Sequence, residues 1–432
     1  MASPVNPPRG MRDFLPADKA RREHVLSIIR NSYRSHGFDE IETPVVEDSA
    51  RLHSGLGGDN EKLAFAVMKR ALTTDDLRNA QDPLALADLG LRFDLTVPLA
   101  RFYASHRGEL PNVFRAIQIA PVWRAERPQK GRYRQFVQCD IDIIGEAGPI
   151  AEVELITATA ATLRSLGITD FTIRINDRRI LTSALALLGV AADATDSVLI
   201  TLDKLDKIGI SGVVTELHDN GHGEAVPAIE ALLRSQLIDS DGVESSSVDV
   251  PLDRSAMLGV VPEGTSPEAI DSLVTIGAAV EATVGAGVVV FDPWLVRGMG
   301  YYTGTIFEVV RPELGYSIAG GGRYDGMIGR FLGTDVPAVG FSLGFERFVD
   351  LVDLPESSGA EAVALLHDAD APLALLASLQ AALVAQGLRV RLERKPRNVA
   401  PLLAQLAASG FSRVATVKAD STPETLAFRE LA

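Results

Sequence analysis

The densest run of reactive side chains lies between Trp123 and Asp142, where Arg124, Glu126, Arg127, Arg132, Tyr133, Arg134, Gln138, Asp140 and Asp142 crowd into one segment. An arginine guanidinium is a rigid fork of N–H donors that matches phosphate and carboxylate oxygens. Arginines spread over two paired strands therefore suit an anionic ligand. The same composition suits a solvated hairpin laced with ion pairs, and the segment alone does not separate the two. A second candidate is LRFDLTVPLAR, where Arg92, Asp94, Thr96 and Arg101 alternate with apolar residues. On a strand Arg92, Asp94 and Thr96 share one face. A carboxylate beside a hydroxyl suits an ammonium group, although a half-buried strand with a polar outer face reads the same way.

Three glycine-rich segments follow. In LVRGMGYYTGTIFE, Arg297 precedes Gly298, Gly300 and the pair Tyr301 and Tyr302. Glycines there let the backbone approach a ligand closely, and they equally suit a tight turn into a strand with a tyrosine in the core. IAGGGRYDG has three successive glycines but lacks both the Lys-Ser/Thr of a P-loop and a dinucleotide fingerprint, so by itself it is weak evidence for ATP. In GFSLGFERF, Gly340 and Gly344 precede a helical pattern holding Glu346 and Arg347. An arginine near a helix start can meet a phosphate, though such glycines usually mark a helix packed closely on a sheet.

The elements that must position these groups are legible from periodicity. Residues 17–36 predict an amphipathic helix with Val25, Ile28, Ile29 and Tyr33 on one face, ended by Gly37. DEIETPVVE has β-type alternation around Pro44, and residues 61–103 predict short strands with turns. VFRAIQIAPVWRAE and RYRQFVQCDIDIIG predict an antiparallel pair joined by a basic turn at PQKGRY. A helix at 150–166 and a strand at FTIRIND come next. Residues 178–280 are rich in Ala, Leu, Ser and Asp and helical in pattern, and strand character returns at VVVFDPWL. EAVALLH, LRVRLE and RVATVK alternate with helical stretches at 371–386 and 397–409, which implies a small α/β domain with a largely parallel sheet. The stretch 355–359 is the expected linker.

Bulk composition narrows the class. With 432 residues, two or three domains are expected. Apolar residues make up 46% and charged residues 23%, a globular balance with no apolar run long enough for a membrane span. The opening MASPVNPPRGMRDFLP lacks the apolar core of a signal peptide. One cysteine, Cys139, rules out a disulfide framework within the chain, and the seven histidines show no metal spacing, so a cytoplasmic setting and no protein-held metal are expected. The net charge of −15 argues against a generic nucleic-acid binder. It leaves room for local basic contacts, which act within about 8 Å.

Taken together and in this order, the segments resemble the histidyl-tRNA synthetases, over nearly the whole chain. PPRGMRDFLP is similar to the family's opening. The helix through ETPVVE resembles class II motif 1, VWRAERPQKGRYRQFVQCDIDIIG motif 2, and GFSLGFERF motif 3. LVRGMGYYTGTIFE and AGGGRYDG resemble the segments specific to histidine enzymes, while INDRRIL, LDKLDK and QCDIDIIG have a flavour of the eukaryotic branch. The resemblance implies an α+β fold, a class II antiparallel sheet flanked by helices, with a helical insertion and a C-terminal α/β anticodon-binding domain. The expected divisions are 1–175 and 286–354 for the catalytic core, 176–285 for the insertion and 360–432 for the C-terminal domain. It also implies a homodimer with motif 1 at the interface, and an insertion that touches the tRNA acceptor arm.

The implied activity is histidine–tRNA ligation in two steps, with histidine, ATP and tRNA(His) as substrates and Mg2+ on the phosphates. By resemblance, Arg124 holds the α-phosphate and the substrate carboxylate, Arg297 stabilises transition-state charge, and Arg347 binds the γ-phosphate. Glu126 reads the adenine amino group and Phe136 stacks on its ring. Asp94, Thr96 and Gln138 match the ammonium-binding positions, and Asp142 and Tyr302 those that grip the imidazole. Arg132, Tyr133 and Tyr301 join the same histidine site. The chain departs from many bacterial members in having Gly300 where they have Asp, Asp94 and Asp142 where they have Glu, and a short C-terminal domain whose basic residues are Arg391, Arg394, Lys395 and Arg397. The rival reading is the regulatory subunit of ATP phosphoribosyltransferase, which shares the catalytic fold. That subunit usually lacks the C-terminal domain and some of the arginines, which are all present here.

Overall fold

The computed structural model describes residues 5–53, 62–128, 132–297, 300–314, 316–352 and 361–431. Helix α1 (Pro16–Ser35) leads to strands β1 (Asp39–Glu40) and β2 (Val46–Asp48), helix α2 (Ser49–Leu52), β3 (Phe65–Met68), α3 (Thr74–Asn79), β4 (Ala87–Leu91) and α4 (Thr96–His106). The long strands β5 (Phe114–Trp123) and β6 (Gln135–Ile144) precede α5 (Ile150–Ser165) and β7 (Thr172–Asp177). Six helices follow: α6 (Arg178–Leu187), α7 (Thr195–Leu202), α8 (Leu205–Asp219), α9 (Val226–Leu237), α10 (Arg254–Leu258) and α11 (Pro267–Val284). Then come β8 (Val289–Phe291), β9 (Thr305–Val310), β10 (Ala319–Arg323), α12 (Asp325–Leu332), β11 (Ala338–Gly344) and α13 (Phe345–Phe348). The end of the chain holds β12 (Ala362–His367), α14 (Leu373–Ala385), β13 (Arg389–Arg394), α15 (Ala400–Ala408), β14 (Arg413–Thr416) and β15 (Arg429–Glu430).

The chain divides into two compact units, one of Met1–Asp13 with Val25–Asp353 and one of Phe14–His24 with Leu354–Ala432. In the first, eight strands form a sheet in the order β1-β5-β6-β11-β10-β9-β7-β8, antiparallel except for the outer pairs β1–β5 and β7–β8. Side chains alternate across a strand, and β6 shows what that does. Gln138, Asp140 and Asp142 point to one face, whereas Cys139, Ile141 and Ile143 are fully buried on the other. That second face is covered by α5, itself packed on β6, β11 and α11. Phe307 and Phe341 stack beneath the sheet with centroids 5.2 Å apart.

On the open face the register carries residues from distant parts of the chain into one row: Asp140 opposite Ser342, Ser342 opposite Gly320, Gly320 opposite Glu308, and Glu308 opposite Arg174. A neighbouring row runs from Asp142 through Gly340 and Gly322 to Ile306.

The second unit has a four-stranded sheet in the order β13-β12-β14-β15, parallel except for β15. Its central strand β12 is apolar from Ala362 to Leu366 because both faces are covered there. Val363 and Leu365 pack with Leu376, Leu379 and Leu383 of α14, and Ala362, Ala364 and Leu366 with Leu406 of α15 and Phe411.

One expectation fails. Residues 61–103 are not a run of strands: α3 lies within them, and LRFDLTVPLAR is no strand, since β4 ends at Leu91 and helix α4 begins at Thr96. Pro98 sits in the first helical turn, where its missing N–H costs nothing, and Asp94 Oδ1 accepts the Val97 N–H at 3.2 Å. Arg92 consequently leaves the Asp94–Thr96 face. It donates to the carbonyls of Pro121 (3.0 Å) and Thr43 (2.7 Å), a structural tie. Arg101 pairs with Glu47 at 2.8 Å. The expected linker at 355–359, Gly298 and the centre of the PQKGRY turn lie outside the described residues.

Candidate active site

A cleft of about 1140 Å³ opens over the polar face of the large sheet. It is lined by every residue to which the resemblance gives a role, Arg124, Arg297, Arg347, Asp94, Thr96, Glu126, Arg132, Tyr133, Phe136, Gln138, Asp142, Tyr301 and Tyr302, whereas Arg127 and Arg134 of the same opening run do not line it. The glycines are what give the cleft its depth. A Cβ on Gly320 would sit 2.5 Å from Arg297 Nη1, and one on Gly340 would overlap Asp142 Oδ1. Gly300 is different: it is exposed, and a Cβ there would touch nothing among the described residues.

One part of the cleft is cationic. Arg124, at the end of β5, donates its Nε to the Phe93 carbonyl at 2.9 Å, and its guanidinium lies 5.1 Å from the Phe136 ring centre. Burial lowers its pKa, against the pull of Asp94 and Glu126. Arg347 hangs from α13 by a 2.7 Å bond to the Ser317 carbonyl. Its pKa is lowered first by burial and then by repulsion from Arg297, Arg132 and Arg124. Four cations that feel one another in a half-dry cleft will draw in an anion. Arg297 donates to Glu308 Oε1 at 3.2 Å. Arg132 pairs with Glu126 at 3.4 Å, and Tyr133 carries Arg12 3.5 Å over its ring centre.

The other part is acidic. Asp94, Asp140 and Asp142 are all buried there. Asp142 Oδ1 accepts the Tyr324 hydroxyl at 2.6 Å. Burial pushes the Asp142 carboxyl up to about 7, the Tyr324 bond opposes this, and Asp94 adds to it. Asp140 is raised well above the carboxylate range by burial first and Asp142 second. Gln138 Nε2 donates to Ser342 Oγ at 3.1 Å, while Gln138 Oε1 and Asp140 Oδ1 are buried acceptors with no partner among the described residues. Buried acceptors left open cost free energy unless a ligand donates to them. A ligand with several N–H donors fits this end. Tyr301 and Tyr302 close it, edge to face with centroids 4.7 Å apart.

Asp140, which belongs to the opening run but was given no role, also lines the cleft, as do Tyr324, Ser342, Glu308 and Asp203, which were not singled out. For Asp140 the signal was present, since it lies two residues from both Gln138 and Asp142. Tyr324 and Glu308 sit inside the quoted glycine segments, but nothing local says which way they point. Asp203 enters from the LDKLDK segment, distant in sequence from every strand of the cleft.

Comparison with known proteins follows this geometry. A family described as Histidyl-tRNA synthetase matches residues 10–348. A histidine–tRNA ligase of Leifsonia xyli subsp. xyli is 58% identical over 436 residues, covering 100% of this chain and 99% of the relative. A probable histidine–tRNA ligase of Tropheryma whipplei is 46% identical and covers 91% of each chain. The solved histidyl-tRNA synthetase of Nostoc sp. PCC 7120 superposes with a TM-score of 0.74 at 26% identity, over 100% of this chain and 95% of that one. An ATP phosphoribosyltransferase regulatory subunit/histidyl-tRNA synthetase from Bacillus halodurans C also gives 0.74, over 96% and 99%, and at 21% identity it speaks for the fold alone.

Proposed function

The chain belongs to the histidyl-tRNA synthetase family, and from that premise we propose that the cleft on the open face of its large sheet binds histidine and ATP and forms histidyl-adenylate. The activity is histidine–tRNA ligation: histidine is activated with ATP, pyrophosphate leaves, and the histidyl group passes to the 3′ end of the tRNA. The observation that carries the proposed site is the gathering of three buried aspartates and four arginines on the lining of one cleft.

In this reading the ammonium of histidine lies against Asp94, Thr96 and Gln138, and its imidazole between Asp142 and Tyr302, with Arg132, Tyr133 and Tyr301 completing the wall. Phe136 stacks on adenine and Glu126 accepts from its amino group. The histidine carboxylate attacks the α-phosphorus, the bond to the β-phosphate oxygen breaks, and Arg124 and Arg297 meet the charge that develops on the α-phosphate oxygens. Arg347 holds the γ-phosphate. Preorganised donors of this kind supply most of what phosphoryl-type transfer needs. Mg2+ fits as an ion carried by the nucleotide. No three metal-binding side chains converge among the described residues, and Mg2+ takes most of its ligands from phosphate and water, with one or two carboxylates. Glu126 and Glu308 line the same cleft.

The rest of the molecule serves the tRNA. The helices from α6 to α11 form the insertion that meets the acceptor arm, and the second unit meets the anticodon. Arg394, Lys395 and Arg397 are exposed there, whereas Arg391 lies 4.5 Å over Phe411. A homodimer is supported by the exposed apolar side chains Val46, Met68 and Leu89 of the three-stranded sheet β2-β4-β3, and light scattering tests it. A cytoplasmic setting accords with the lack, among the described residues, of any helix long and apolar enough to cross a membrane. The direct test of the cleft's chemistry is exchange of labelled pyrophosphate into ATP with each of the twenty amino acids. Exchange with histidine alone is the expected outcome, and exchange with none would favour a histidine-binding regulatory protein.

A further inference from the structure

The opening segment of the chain is laced to the β5–β6 hairpin, and none of the roles above gives it a task. Residues 8–11 form a turn closed by the Met11 N–H on the Pro8 carbonyl at 2.9 Å. Gly10 has φ +84, and a Cβ on it would sit 2.7 Å from Pro128 Cγ and 3.0 Å from Arg134 Cγ, so the turn lies flat against the hairpin. The Gly10 carbonyl accepts the Arg134 N–H at 2.8 Å. Two residues on, Arg12 carries its guanidinium 3.5 Å over the Tyr133 ring centre and forms an ion pair with Glu346 of α13. The Glu346 side chain is 5% exposed, and its other oxygen accepts the Val137 N–H of β6 at 3.4 Å. Arg12 thereby ties the hairpin to the helix that carries Arg347.

Glu346 lines the cleft together with Arg347. A buried carboxylate there repels a triphosphate unless a cation cancels it. The other two glutamates of the lining pair with arginines of the lining itself, Glu126 with Arg132 at 3.4 Å and Glu308 with Arg297 at 3.2 Å. Arg12 is different, since it does not line the cleft. We infer that Arg12 is a positioning residue that acts on the nucleotide through Glu346: brought in by the turn at Gly10, it neutralises that carboxylate from outside the cleft and holds it against β6, so that Arg347 meets the γ-phosphate without a bare negative charge at its side. A segment remote from the sheet in sequence thereby sets the affinity of the nucleotide site, although it touches no substrate itself. The inference rests on the reading of Arg347 as the residue that holds the γ-phosphate.

The test is steady-state pyrophosphate exchange by the full chain carrying Arg12→Gln, with ATP and histidine varied in turn. One uncompensated unit charge in a part-buried site of intermediate dielectric is expected to raise the ATP KM by about fivefold or more, with a smaller change in the histidine KM. Arg12→Lys, which keeps the charge, should lie closer to the wild type than Arg12→Gln. In a Glu346→Gln background the same Arg12→Gln change should move the ATP KM by less than about twofold, because no carboxylate is left to unmask. A smaller rise in the first case, a histidine KM that rises as much, or a rise that persists in the Glu346→Gln background overturns the proposal. If Arg12→Gln does not melt with the wild type, Arg12→Met is judged by the same criteria. Arg347→Gln in the same assay separates the two readings. An unchanged ATP KM in that variant would sink the assignment of Arg347, whereas a raised one beside a normal Arg12→Gln would sink only the role of Arg12.

Discussion

Arg323 and Arg297 both stand beside the glycine strand β10, on opposite faces of the same sheet. Arg323 points to the helix-covered face. It donates to Glu152 from Nε (2.6 Å) and Nη2 (2.7 Å), to Asp325 at 3.2 Å, and to the Glu146 carbonyl at 3.2 Å. Arg297, over the open face, has one ion pair among the described residues, at 3.2 Å. Both are arginines embedded in glycine motifs, so sequence alone gives no reason to rank them. The difference is saturation. An arginine whose donors are spent on its own protein holds structure, and one whose donors face an open cleft waits for a ligand. On the acidic side the same logic runs in reverse: Asp140 Oδ1 and Gln138 Oε1 are buried acceptors with no partner among the described residues, where a donor-rich ligand would lie.

Substituting each of the two arginines should give the largest effects. Arg297→Gln is expected to lower kcat for histidine-dependent exchange by about 10²–10³-fold, as loss of one preorganised oxyanion donor does, with an unchanged urea midpoint. Arg323→Ala should do the reverse. Stranding buried Glu152 is expected to cost about 3–5 kcal/mol of unfolding free energy, read from urea melts. Equal loss of stability in the two variants would erase the distinction.

The acidic side gives smaller effects. Asp142→Ala is expected to raise the histidine KM by about 10²-fold, the worth of one hydrogen bond to a charged group, with the ATP KM little changed. Tyr324→Phe should raise it by about threefold to tenfold, the worth of one ordinary hydrogen bond. The pH dependence has a defined sign. Asp142 titrates near 7, so it is protonated below that pH and accepts fully only above it. Histidine KM should therefore fall as pH rises through about 7. Since the Tyr324 bond lowers the Asp142 pKa, Tyr324→Phe should move the midpoint upward. Asp142→Asn, with no carboxyl to titrate, should lose this component and keep only that of the substrate's own imidazole.

Much of this was legible in the sequence because the long hairpin is local. β5 and β6 pair across one turn, and strict alternation along QCDID sorts cleft residues from core residues without any distant contact. Helix α1 was equally plain, since apolar spacing and the terminal glycine agree; Gly37 has φ +85. LRFDLTVPLAR misled because polar–apolar alternation over four residues also fits a capping turn followed by a helix, and Pro98 was the cue to choose the helix. Glu308, Tyr324 and Asp203 escaped for another reason. Their place at the site depends on the order β6-β11-β10-β9 and on an inserted turn, and no local pattern encodes which strands will be neighbours.

The most direct test of the roles assigned within the cleft is pyrophosphate exchange by Arg297→Gln and Asp142→Ala side by side, with histidine and ATP varied independently. A clean split is expected: Arg297→Gln loses kcat at near-normal histidine KM, and Asp142→Ala raises the histidine KM at near-normal ATP KM. Loss of the same parameter in both variants would contradict it.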